Sequence, residues 1–403
     1  MKTVRDLNVH GLVVFVRCDF NVPLKDGAIR DDNRIVAALP TIKDLVSKGA
    51  RVVLMSHLGK VDHKDPAKCE QDKKKNNMAP VARRLSELLG QDVIFCEATR
   101  GEVLANTVHA LKDGEVMLMQ NTRYEKGESK NDASLASEWA ALADAFVMDA
   151  FGSAHRAHAS TYGIPEVLNG QGKQVAIGYL VEKEVNALKR VVDVHDDARP
   201  YVAILGGFKV SDKIKVIERL IEKCDKVLIG GAMAYTFSKA LGHNIGNSPY
   251  EADQLDFARS CYERANGKIV LPVDCVVANN FDNPTDIRTT EDSNIPDGYM
   301  GMDVGPKTVE LYVQEISKAK TLFWNGPVGV FEREEFVAGT VAVCKACAEL
   351  KDAFTCIGGG DSAAAVKQFG YKDNFSHVST GGGASLEMIE NDGHLPGIDV
   401  IGD

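Results

Sequence analysis

Short apolar runs alternate with helical patterns along almost the whole chain, and these runs predict its strands. The predicted strands are residues 12–16, 51–55, 92–95, 116–119 and 145–148 in the first half, and 201–205, 226–229, 268–271, 321–324, 353–357 and 377–379 in the second. Most runs lack a strict alternation of polar and apolar residues, so both faces of each sheet are expected to be buried. The helical patterns between them predict parallel βαβ units. We therefore expect an α/β fold with two doubly wound, Rossmann-like parallel sheets.

A helical pattern near the middle of the chain marks the expected division between two domains. A chain of 403 residues exceeds one ordinary hydrophobic core. Residues 180–192 combine good helix formers with helix-like apolar spacing, and Pro200 ends the pattern. We expect an N-terminal domain at residues 1–178, an interdomain helix hinge at 179–195 and a C-terminal domain at 196–380. The charged residues 61–79 are expected to form an exposed loop before a helix at 81–90.

The composition is that of an ordinary globular protein and narrows the classes of partner. Hydrophobic residues make up 44%, charged residues 26%, and the net charge is −10. This charge argues against nonspecific nucleic-acid binding but allows a local cationic pocket. We find neither a secretory signal nor an apolar stretch near the roughly 20 residues of a membrane helix, so a cytoplasmic protein is expected. The nine cysteines are scattered; Cys344 and Cys347 fall in a helical pattern without a second ligand pair, so free thiols are expected.

A glycine turn in the second half favours phosphate binding. Gly206 and Gly207 follow an apolar run, and a helical pattern starts at Val210. Glycines allow close approach of a ligand, and the first N–H groups of a helix attract anions. Lys209 and Lys213 are four residues apart and would share a helix face. The alternative is a tight strand-to-helix turn without a ligand, which fits the glycine pair equally well.

Two more turns in the second half offer groups for a nucleotide. Three glycines precede Asp361, where one carboxylate near phosphates would suit Mg²⁺. The alternative is that Asp361 or Ser362 only caps the following helix. The segment from Asn325 to Glu332 contains a rigid Gly-Pro turn. Glu332 would accept hydrogen bonds from ribose hydroxyl groups.

Cationic and polar residues follow four predicted strands of the first half. Asp19 and Asn21 follow the first strand and would point the same way in an extended chain. The others are His57 and Lys60, Arg123, and the group His155, Arg156 and His158. Carboxyl ends of parallel strands meet at one edge of a sheet, so we expect a converging anion pocket. Alternatives stay open for single residues: a solvated surface charge for any one of the cationic residues, an Asx turn at Asp19 or Asn21, and a structural role for His158.

Long ordered motifs together resemble the phosphoglycerate kinase family, over about residues 5 to 400. The motifs are Arg17-x-Asp-Phe-Asn-Val-Pro23, Ser56-His-Leu-Gly59, Asp149-Ala-Phe-Gly-x-Ala-His-Arg-Ala-His158, Lys209-Val-x-Asp-Lys213, Trp324-Asn-Gly-Pro-x-Gly-x-Phe-Glu332, Gly358-Gly-Gly-Asp-Ser362 and Ser379-Thr-Gly-Gly-Gly-Ala-Ser385. The resemblance implies reversible, Mg²⁺-dependent phosphoryl transfer between 1,3-bisphosphoglycerate and ADP, giving 3-phosphoglycerate and ATP in glycolysis. It implies one α/β domain for each substrate, and a segment at 381–403 that returns to the N-terminal domain.

The resemblance also implies roles for the matching residues. The 3-phosphoglycerate site would comprise Asp19, Phe20, Asn21, Arg34, His57, Leu58, Gly59, Lys60, Arg123 and Arg156. The nucleotide site would comprise Gly207, Lys209, Lys213, Gly231, Gly301, Asn325, Pro327, Glu332, Gly359, Gly360, Asp361 and Ser362. Arg34, Lys209, Gly360 and Gly383 would be catalytic, and Asp361 would hold Mg²⁺. We expect a monomer with no nucleic-acid or membrane partner.

Four positions depart from the family pattern, and none removes an expected catalytic group. Lys60 replaces an arginine, Gln120 a glutamate, Phe208 an alanine and Ala232 a glycine.

Two other classes of protein remain to be weighed. A nicotinamide-dependent dehydrogenase would need a clean Gly-x-Gly-x-x-Gly motif, which the chain lacks. Fold alone does not exclude a non-catalytic nucleotide-binding or regulatory protein, but the presence of Arg34, Lys209, Lys213 and Asp361 argues against it. An assay of ATP formation separates the three.

Overall fold

The structure is a computed structural model that describes residues 1–403. The chain forms two compact units. Unit 1 contains Met1–Val185 and His394–Asp403, and unit 2 contains Asn186–Gly393. The boundary therefore falls inside the helix predicted at 180–192. Of the segment 381–403, only the last ten residues, His394–Asp403, belong to unit 1; residues 381–393 belong to unit 2.

Unit 1 is built on a six-stranded parallel sheet. The strands of the unit are β1 (Val13–Cys18), β2 (Leu24–Lys25), β3 (Ala28–Ile29), β4 (Arg51–Met55), β5 (Val93–Cys96), β6 (Val116–Met119), β7 (Ala145–Asp149) and β8 (Gln174–Ile177). The sheet order is β5-β6-β4-β1-β7-β8, while β2 and β3 form a separate antiparallel hairpin. Every residue of β6 and β7 is buried, because helices cover both faces of such a sheet.

Seven helices connect these strands or follow them. They are α1 (Asn33–Ser47), α2 (Pro66–Lys75), α3 (Ala79–Leu89), α4 (Gly101–His109), α5 (Ala133–Ala140), α6 (Ile164–Gly170) and α7 (Tyr179–Val192). Helix α1 buries Ile35, Ala38, Ile42 and Leu45 on one face, which is the spacing of an amphipathic helix. At α7, the buried carboxylate of Asp149 accepts a hydrogen bond from Leu180 N at 3.1 Å and so caps the first turn.

Unit 2 repeats the parallel architecture and adds a small antiparallel sheet. Its strands are β9 (Tyr201–Leu205), β10 (Lys226–Ile229), β11 (Ile269–Val270), β12 (Cys275–Ala278), β13 (Ile287–Thr289), β14 (Met300–Val304), β15 (Thr321–Asn325), β16 (Phe354–Ile357) and β17 (His377–Val378). The parallel sheet has the order β11-β10-β9-β15-β16-β17, and the antiparallel sheet has the order β13-β12-β14.

The helices of unit 2 surround its parallel sheet, and one last short helix belongs to unit 1. They are α8 (Ile214–Lys223), α9 (Met233–Ala240), α10 (Leu255–Arg264), α11 (Pro306–Ser317), α12 (Ala338–Ala348), α13 (Gly360–Gln368), α14 (Gly383–Glu390) and, in unit 1, α15 (Pro396–Asp399). Cys344 and Cys347 both lie in α12 and are buried. The α/β fold with two parallel sheets is confirmed, and the antiparallel sheet is an addition to it.

Two local predictions were wrong. Residues 61–79 are not a loop, because α2 occupies ten of them. Asp65 accepts from Ala67 N at 3.1 Å and from Lys68 N at 3.2 Å, and Pro66 stands at the first helical position. No residue of α2 is buried, so the helix shows no apolar periodicity. The second error concerns α8, which begins at Ile214 rather than at Val210.

Candidate active site

The predicted residues of unit 1 lie at the carboxyl edge of its parallel sheet, in loops and in the first turn of one helix. They are Asp19, Phe20 and Asn21 after β1, Arg34 in the first turn of α1, residues 57–60 after β4, Arg123 after β6, and Arg156 after β7. The strand order reverses between β1 and β7. Ligands of open α/β sheets bind outside the carboxyl ends of the strands at such a reversal.

Arg34 is anchored at this edge by the turn that follows β1. Its NH1 donates to Asp19 Oδ1 at 3.1 Å and to Asn21 O at 3.2 Å. The guanidinium side chain stays 44% exposed, so donors remain for a ligand. Asp19 Oδ1 also accepts from Asn21 N at 3.2 Å. The Asx turn weighed from the sequence therefore forms, and it orients Asp19 toward Arg34. Phe20 is buried and donates its backbone N–H to Ser56 Oγ.

Gly59 is fixed by the two neighbouring loops. Its N–H donates to Asn21 Oδ1 at 2.8 Å, and its carbonyl oxygen accepts from Arg123 NH1 at 2.6 Å. Its φ is +61°, and an added Cβ would lie 2.5 Å from Asn76 Oδ1, so only glycine fits here. Leu58 is buried, so it would support the shape of the loop rather than contact a ligand. Lys60 and Arg156 are exposed beside this loop edge, and Arg123 is half-buried.

His57 does not add positive charge to the edge, contrary to its place in the predicted cationic set. Burial, reinforced by Arg17 and Arg123, holds its pKa well below the usual value. Arg17 NH2 lies 3.0 Å from His57 Nδ1. Since a guanidinium only donates, Nδ1 accepts, and neutral His57 carries its hydrogen on Nε2. Burial likewise lowers the pKa of His158 to about 4. The charge of the edge therefore comes from the arginines and Lys60.

A buried network below this edge was not found from the sequence. Arg17 is fully buried in β1, so it supports the site from beneath. Its Nε donates to Ser160 Oγ at 2.8 Å, and Ser160 Oγ donates to Glu128 Oε2 at 2.7 Å. Ser160 N donates to Glu128 Oε1 at 2.8 Å. An arginine inside an apolar strand was the available signal, since a buried charge needs a partner. Nothing in the sequence pointed to Glu128 as that partner.

The glycine turns of unit 2 meet where its strand order reverses, between β9 and β15. Gly206 N donates to Asn325 O at 2.8 Å, and Gly207 N donates to Pro327 O at 3.2 Å. A Cβ on Gly206 would lie 2.0 Å from Pro327 O. A Cβ on Gly231, in the turn after β10, would lie 2.7 Å from Gly207 N. These glycines are therefore required because backbone packs directly on backbone.

Lys213 lies over this turn, and Lys209 does not share a helix face with it. Residues 209–213 precede α8, so the predicted spacing argument was wrong. Lys213 Nζ donates to Gly206 O. Burial lowers the pKa of Lys213 to about 8, although the nearby Asp361 acts to raise it. Lys209 and the 62%-exposed Phe208 project from the turn into solvent.

The third turn brings Asp361 to the start of α13. Gly359 has φ +101°, and a Cβ there would lie 2.5 Å from Asn325 Nδ2. Asn325 Nδ2 donates to Gly358 O at 2.8 Å, and Gly326 N donates to Ser362 Oγ at 2.6 Å. Gly359 holds the cap position without a side-chain bond. Neither Asp361 nor Ser362 therefore caps α13, contrary to the alternative interpretation of the sequence.

Asp361 is exposed in the first turn of α13, which fits a metal that arrives with a nucleotide. No group of three or more His, Cys, Asp or Glu side chains could hold a metal ion. A divalent cation at Asp361 would take its other ligands from phosphate oxygens and water, as Mg²⁺ commonly does.

The remaining predicted residues lie elsewhere in unit 2. Gly301 is in β14, and its N–H donates to Ser248 Oγ at 2.9 Å. A Cβ on Gly301 would lie 2.1 Å from Tyr235 Oη, so close packing explains this glycine. Glu332 is exposed after the Asn325–Pro327 turn, Gly360 begins α13, and Gly383 begins α14.

The fold and the two edges define a two-unit α/β protein of the phosphotransferase class. Unit 1 offers guanidinium groups at its sheet edge, and unit 2 offers glycine turns, helix starts and a lysine. Both sets of groups suit phosphates. No helix is long and apolar enough to cross a membrane.

Comparisons with known proteins agree over the whole chain. The phosphoglycerate kinase family model matches residues 4–392. The phosphoglycerate kinase of Enterococcus faecalis is 53% identical over 406 residues, covering 100% of this chain and 99% of the relative. That of Clostridium novyi is 54% identical over 407 residues, covering 100% and 98%. The phosphoglycerate kinase structure from Coxiella burnetii has a TM-score of 0.89 at 39% identity, covering 99% of this chain and 98% of that one. The chain belongs to the phosphoglycerate kinase family. The predicted family, kinase class and place in glycolysis are confirmed.

Proposed function

We propose that the chain transfers a phosphoryl group directly between 1,3-bisphosphoglycerate and ADP, reversibly giving 3-phosphoglycerate and ATP. The observation that carries this proposal is the separation of two kinds of anion-binding group. Arginines stand at the sheet edge of unit 1, with Arg34 44% exposed beside Asp19. Glycine turns and Lys213 stand at the sheet edge of unit 2. One edge suits a small phosphorylated acid, and the other suits a nucleotide.

In unit 1, the arginines would bind the phosphorylated acid. Arg123, Arg156 and Lys60 would hold the phosphate that is not transferred, with neutral His57 donating from Nε2. Asp19 and Asn21 would orient the glycerate end. Arg34 would reach the transferring group, because its anchored NH1 leaves other guanidinium donors exposed.

In unit 2, the turns would bind ATP or ADP. Gly207, Gly231, Gly359 and Gly360 would let backbone N–H groups approach the phosphates, while Lys213 would leave Gly206 O to pair with them. Gly301 and Glu332 would contact the nucleoside, and Asn325 and Pro327 would complete the nucleotide site. Lys209 and the helix starts at Gly360 and Gly383 would stabilise the transferring group. When bound, Mg²⁺ would neutralise phosphate charge. Asp361 would be its protein ligand, and Ser362 would lie next to it at the phosphates.

No general base is required, because the attacking carboxylate or ADP oxygen is already ionised. The residues act by positioning and by electrostatic stabilisation of the transferring group. Direct transfer predicts inversion at a chiral phosphorus; net retention would contradict it. Direct transfer also requires the two domains to approach each other, by hinge bending at residues 179–195 and at 380–383. Small-angle scattering should then show compaction with both substrates bound, and an unchanged radius of gyration would refute closure.

The remaining expectations belong to the same proposal. The N-terminal domain would bind 3-phosphoglycerate, the C-terminal domain the nucleotide, and the C-terminal residues would complete the N-terminal domain. The protein would act as a cytoplasmic monomer without nucleic-acid or membrane partners. Sedimentation at assay concentration tests the monomer directly.

An assay of ATP formation coupled to substrate turnover tests the proposal, and Arg34→Ala sharpens it. We expect this variant to lose most of its turnover while keeping nucleotide affinity, because Arg34 lies in unit 1. The matched control is Arg84→Ala, an arginine of α3 with 39% side-chain exposure in surface ion pairs with Asp32 and Glu87. Full activity in Arg34→Ala would remove Arg34 from the site.

A further inference from the structure

Asn121 makes hydrogen bonds that connect three loops of unit 1. It is fully buried and lies two residues after the end of β6. Its Oδ1 accepts from Leu58 N at 3.1 Å and from Arg123 N at 3.0 Å. Its Nδ2 donates to Leu58 O at 2.7 Å and to Asn76 O at 3.0 Å. An asparagine side chain has two acceptor positions and two donor hydrogens, so its whole capacity is used on backbone groups.

The loop held by Asn121 and the arginine that follows it are also bonded to each other. Arg123 NH1 donates to Gly59 O at 2.6 Å. Asn121 binds both polar backbone groups of Leu58, the residue before Gly59. The peptide planes on either side of Leu58 therefore cannot rotate without breaking a buried hydrogen bond. This closed ring sets the position of the Arg123 guanidinium relative to the loop at residues 57–60.

We propose that Asn121 is a positioning residue for anion binding in unit 1, an inference that rests on the function proposed above. Asn121 is fully buried, and its side chain is saturated by backbone groups, so it would act without touching the substrate. It acts by holding Arg123 and the His57–Gly59 backbone at the spacing that lets both bind one phosphate. Arg34 and the nucleotide turns of unit 2 share no hydrogen bond with it. The loss of Asn121 should therefore weaken one substrate and leave the other unchanged.

Two variants of Asn121 separate positioning from loss of the fold. Asn121→Asp keeps the shape and both accepted hydrogen bonds, but it places a carboxylate oxygen against the Leu58 and Asn76 carbonyl oxygens. Asn121→Ala removes all four bonds. In each variant we expect the KM for 3-phosphoglycerate to rise about tenfold or more. A rise of this size corresponds to the loss of roughly one charge-assisted hydrogen bond to the substrate. The KM for ATP should stay within about twofold, and kcat should change less than the KM for 3-phosphoglycerate.

Gln174 provides a matched control. Its side chain also bonds both backbone groups of one residue, accepting from Asn8 N at 3.0 Å and donating to Asn8 O at 2.8 Å. It stands at the amino-terminal start of β8, away from the carboxyl edge. Because its hydrogen bonds are exposed, Gln174→Ala should lower thermal stability less than Asn121→Ala does, without changing either KM.

The outcomes distinguish this inference from the proposed function. If the wild type fails to form ATP from 1,3-bisphosphoglycerate and ADP, the proposed function fails. If the wild type is active but soluble Asn121→Asp keeps the wild-type KM for 3-phosphoglycerate, the positioning role is refuted. Equal rises in both KM values, matched by Gln174→Ala, would also refute it, since they would indicate general destabilisation. Should Asn121→Ala not fold, Asn121→Asp alone decides.

Discussion

Replacing Glu128 with glutamine tests whether the buried charge network stabilises unit 1. Arg17 is 0% exposed and Glu128 is 1% exposed. The two are bridged by the Ser160 hydroxyl, at 2.8 Å from Arg17 Nε and 2.7 Å from Glu128 Oε2. Burial lowers the pKa of Arg17, while Glu128 and then Asp19 act to raise it. Glu128 is therefore the main negative charge that compensates a buried guanidinium.

The expected cost follows from these contacts. Glutamine keeps an acceptor for Ser160 N but presents an NH₂ group to Ser160 Oγ, and it removes the compensating charge. Removal of one partner from a buried ion pair costs about 3–5 kcal/mol. Because Asp19 also compensates Arg17, we expect the lower end, about 3 kcal/mol of unfolding free energy. This is a large share of the roughly 5–15 kcal/mol that stabilises a typical domain.

The two tryptophans allow this cost to be measured in unit 1 alone. Trp139 is buried in α5 of unit 1, and Trp324 is buried in β15 of unit 2. In a Trp324→Phe background, urea unfolding followed by fluorescence reports on unit 1. This avoids a single free energy for a two-domain chain.

Glu125→Gln is the matched control for this measurement. Glu125 pairs with Arg100, which is 43% exposed, at 3.6 Å, so its loss should cost less than about 1 kcal/mol. A Glu128→Gln cost as small as that of Glu125→Gln would refute the role of Glu128 as the compensating charge.

Three further perturbations test the unit 2 turns and a buried carboxylate. Gly206→Ala would put a Cβ 2.0 Å from Pro327 O, so we expect the KM for ATP to rise about tenfold or more. The control is Gly170→Ala, which has nothing within 4 Å of its Cβ and should leave the KM for ATP unchanged. Because burial lowers the pKa of Lys213 to about 8, wild-type ATP affinity in calorimetry should fall as pH rises through about 8; Lys213→Met should bind weakly and show no such step. Burial raises the pKa of Asp149 from 3.8 to about 7. A raised folded-state pKa gives stability that is present at low pH and lost as pH rises toward 7. Relative to Asp149→Asn, wild type should lose up to about 1.4 kcal/mol per pH unit between pH 4 and 7 in urea unfolding; a constant difference would contradict this.

The parallel strands could be predicted because burial on both faces leaves a continuous apolar run. Residues 51–55, 116–119, 201–205 and 226–229 match β4, β6, β9 and β10 to the residue. The antiparallel sheet of unit 2 was missed because β14 contains Gly301 and Asp303, which are uncommon in strands, and β13 is exposed throughout. The β2–β3 hairpin was also missed, although Asp26-Gly27 is its signal. Both residues have positive φ, 52° and 75°, as a two-residue hairpin turn requires.

The site was predicted as a set of strand-end residues, but its supporting contacts were not. Strand ends could be located from the sequence, and their common edge follows from parallel pairing. Glu128 and Asn121 support the site through partners such as Ser160 and Leu58, 32 and 63 positions away in the chain. Such pairs depend on how segments pack. The charge of His57 depends in the same way on its burial beside Arg17.

Two departures from the family pattern fall at positions where the structure does not need the family's residue. Gln120 Oε1 accepts from Met78 N at 2.9 Å and from Asn121 N at 3.0 Å. Both partners are donors, so a neutral amide oxygen serves them without burying a charge. Ala232 has helical dihedrals, φ −66° and ψ −27°, so this position does not require glycine.

The other two departures stand in solvent at the edges that would bind ligand, where they can alter affinity but not the fold. Phe208 is 62% exposed, so its ring leaves the backbone packing of Gly206 and Gly207 intact. Lys60 is exposed beside Gly59 and keeps a positive charge without the bidentate geometry of arginine. The backbone of that loop is held by Asn21, Asn121 and Arg123 rather than by residue 60. Lys60→Arg should therefore strengthen the binding of 3-phosphoglycerate, because the loop already presents residue 60 to the anion. The expected measurements are a lower KM for 3-phosphoglycerate and an unchanged melting temperature.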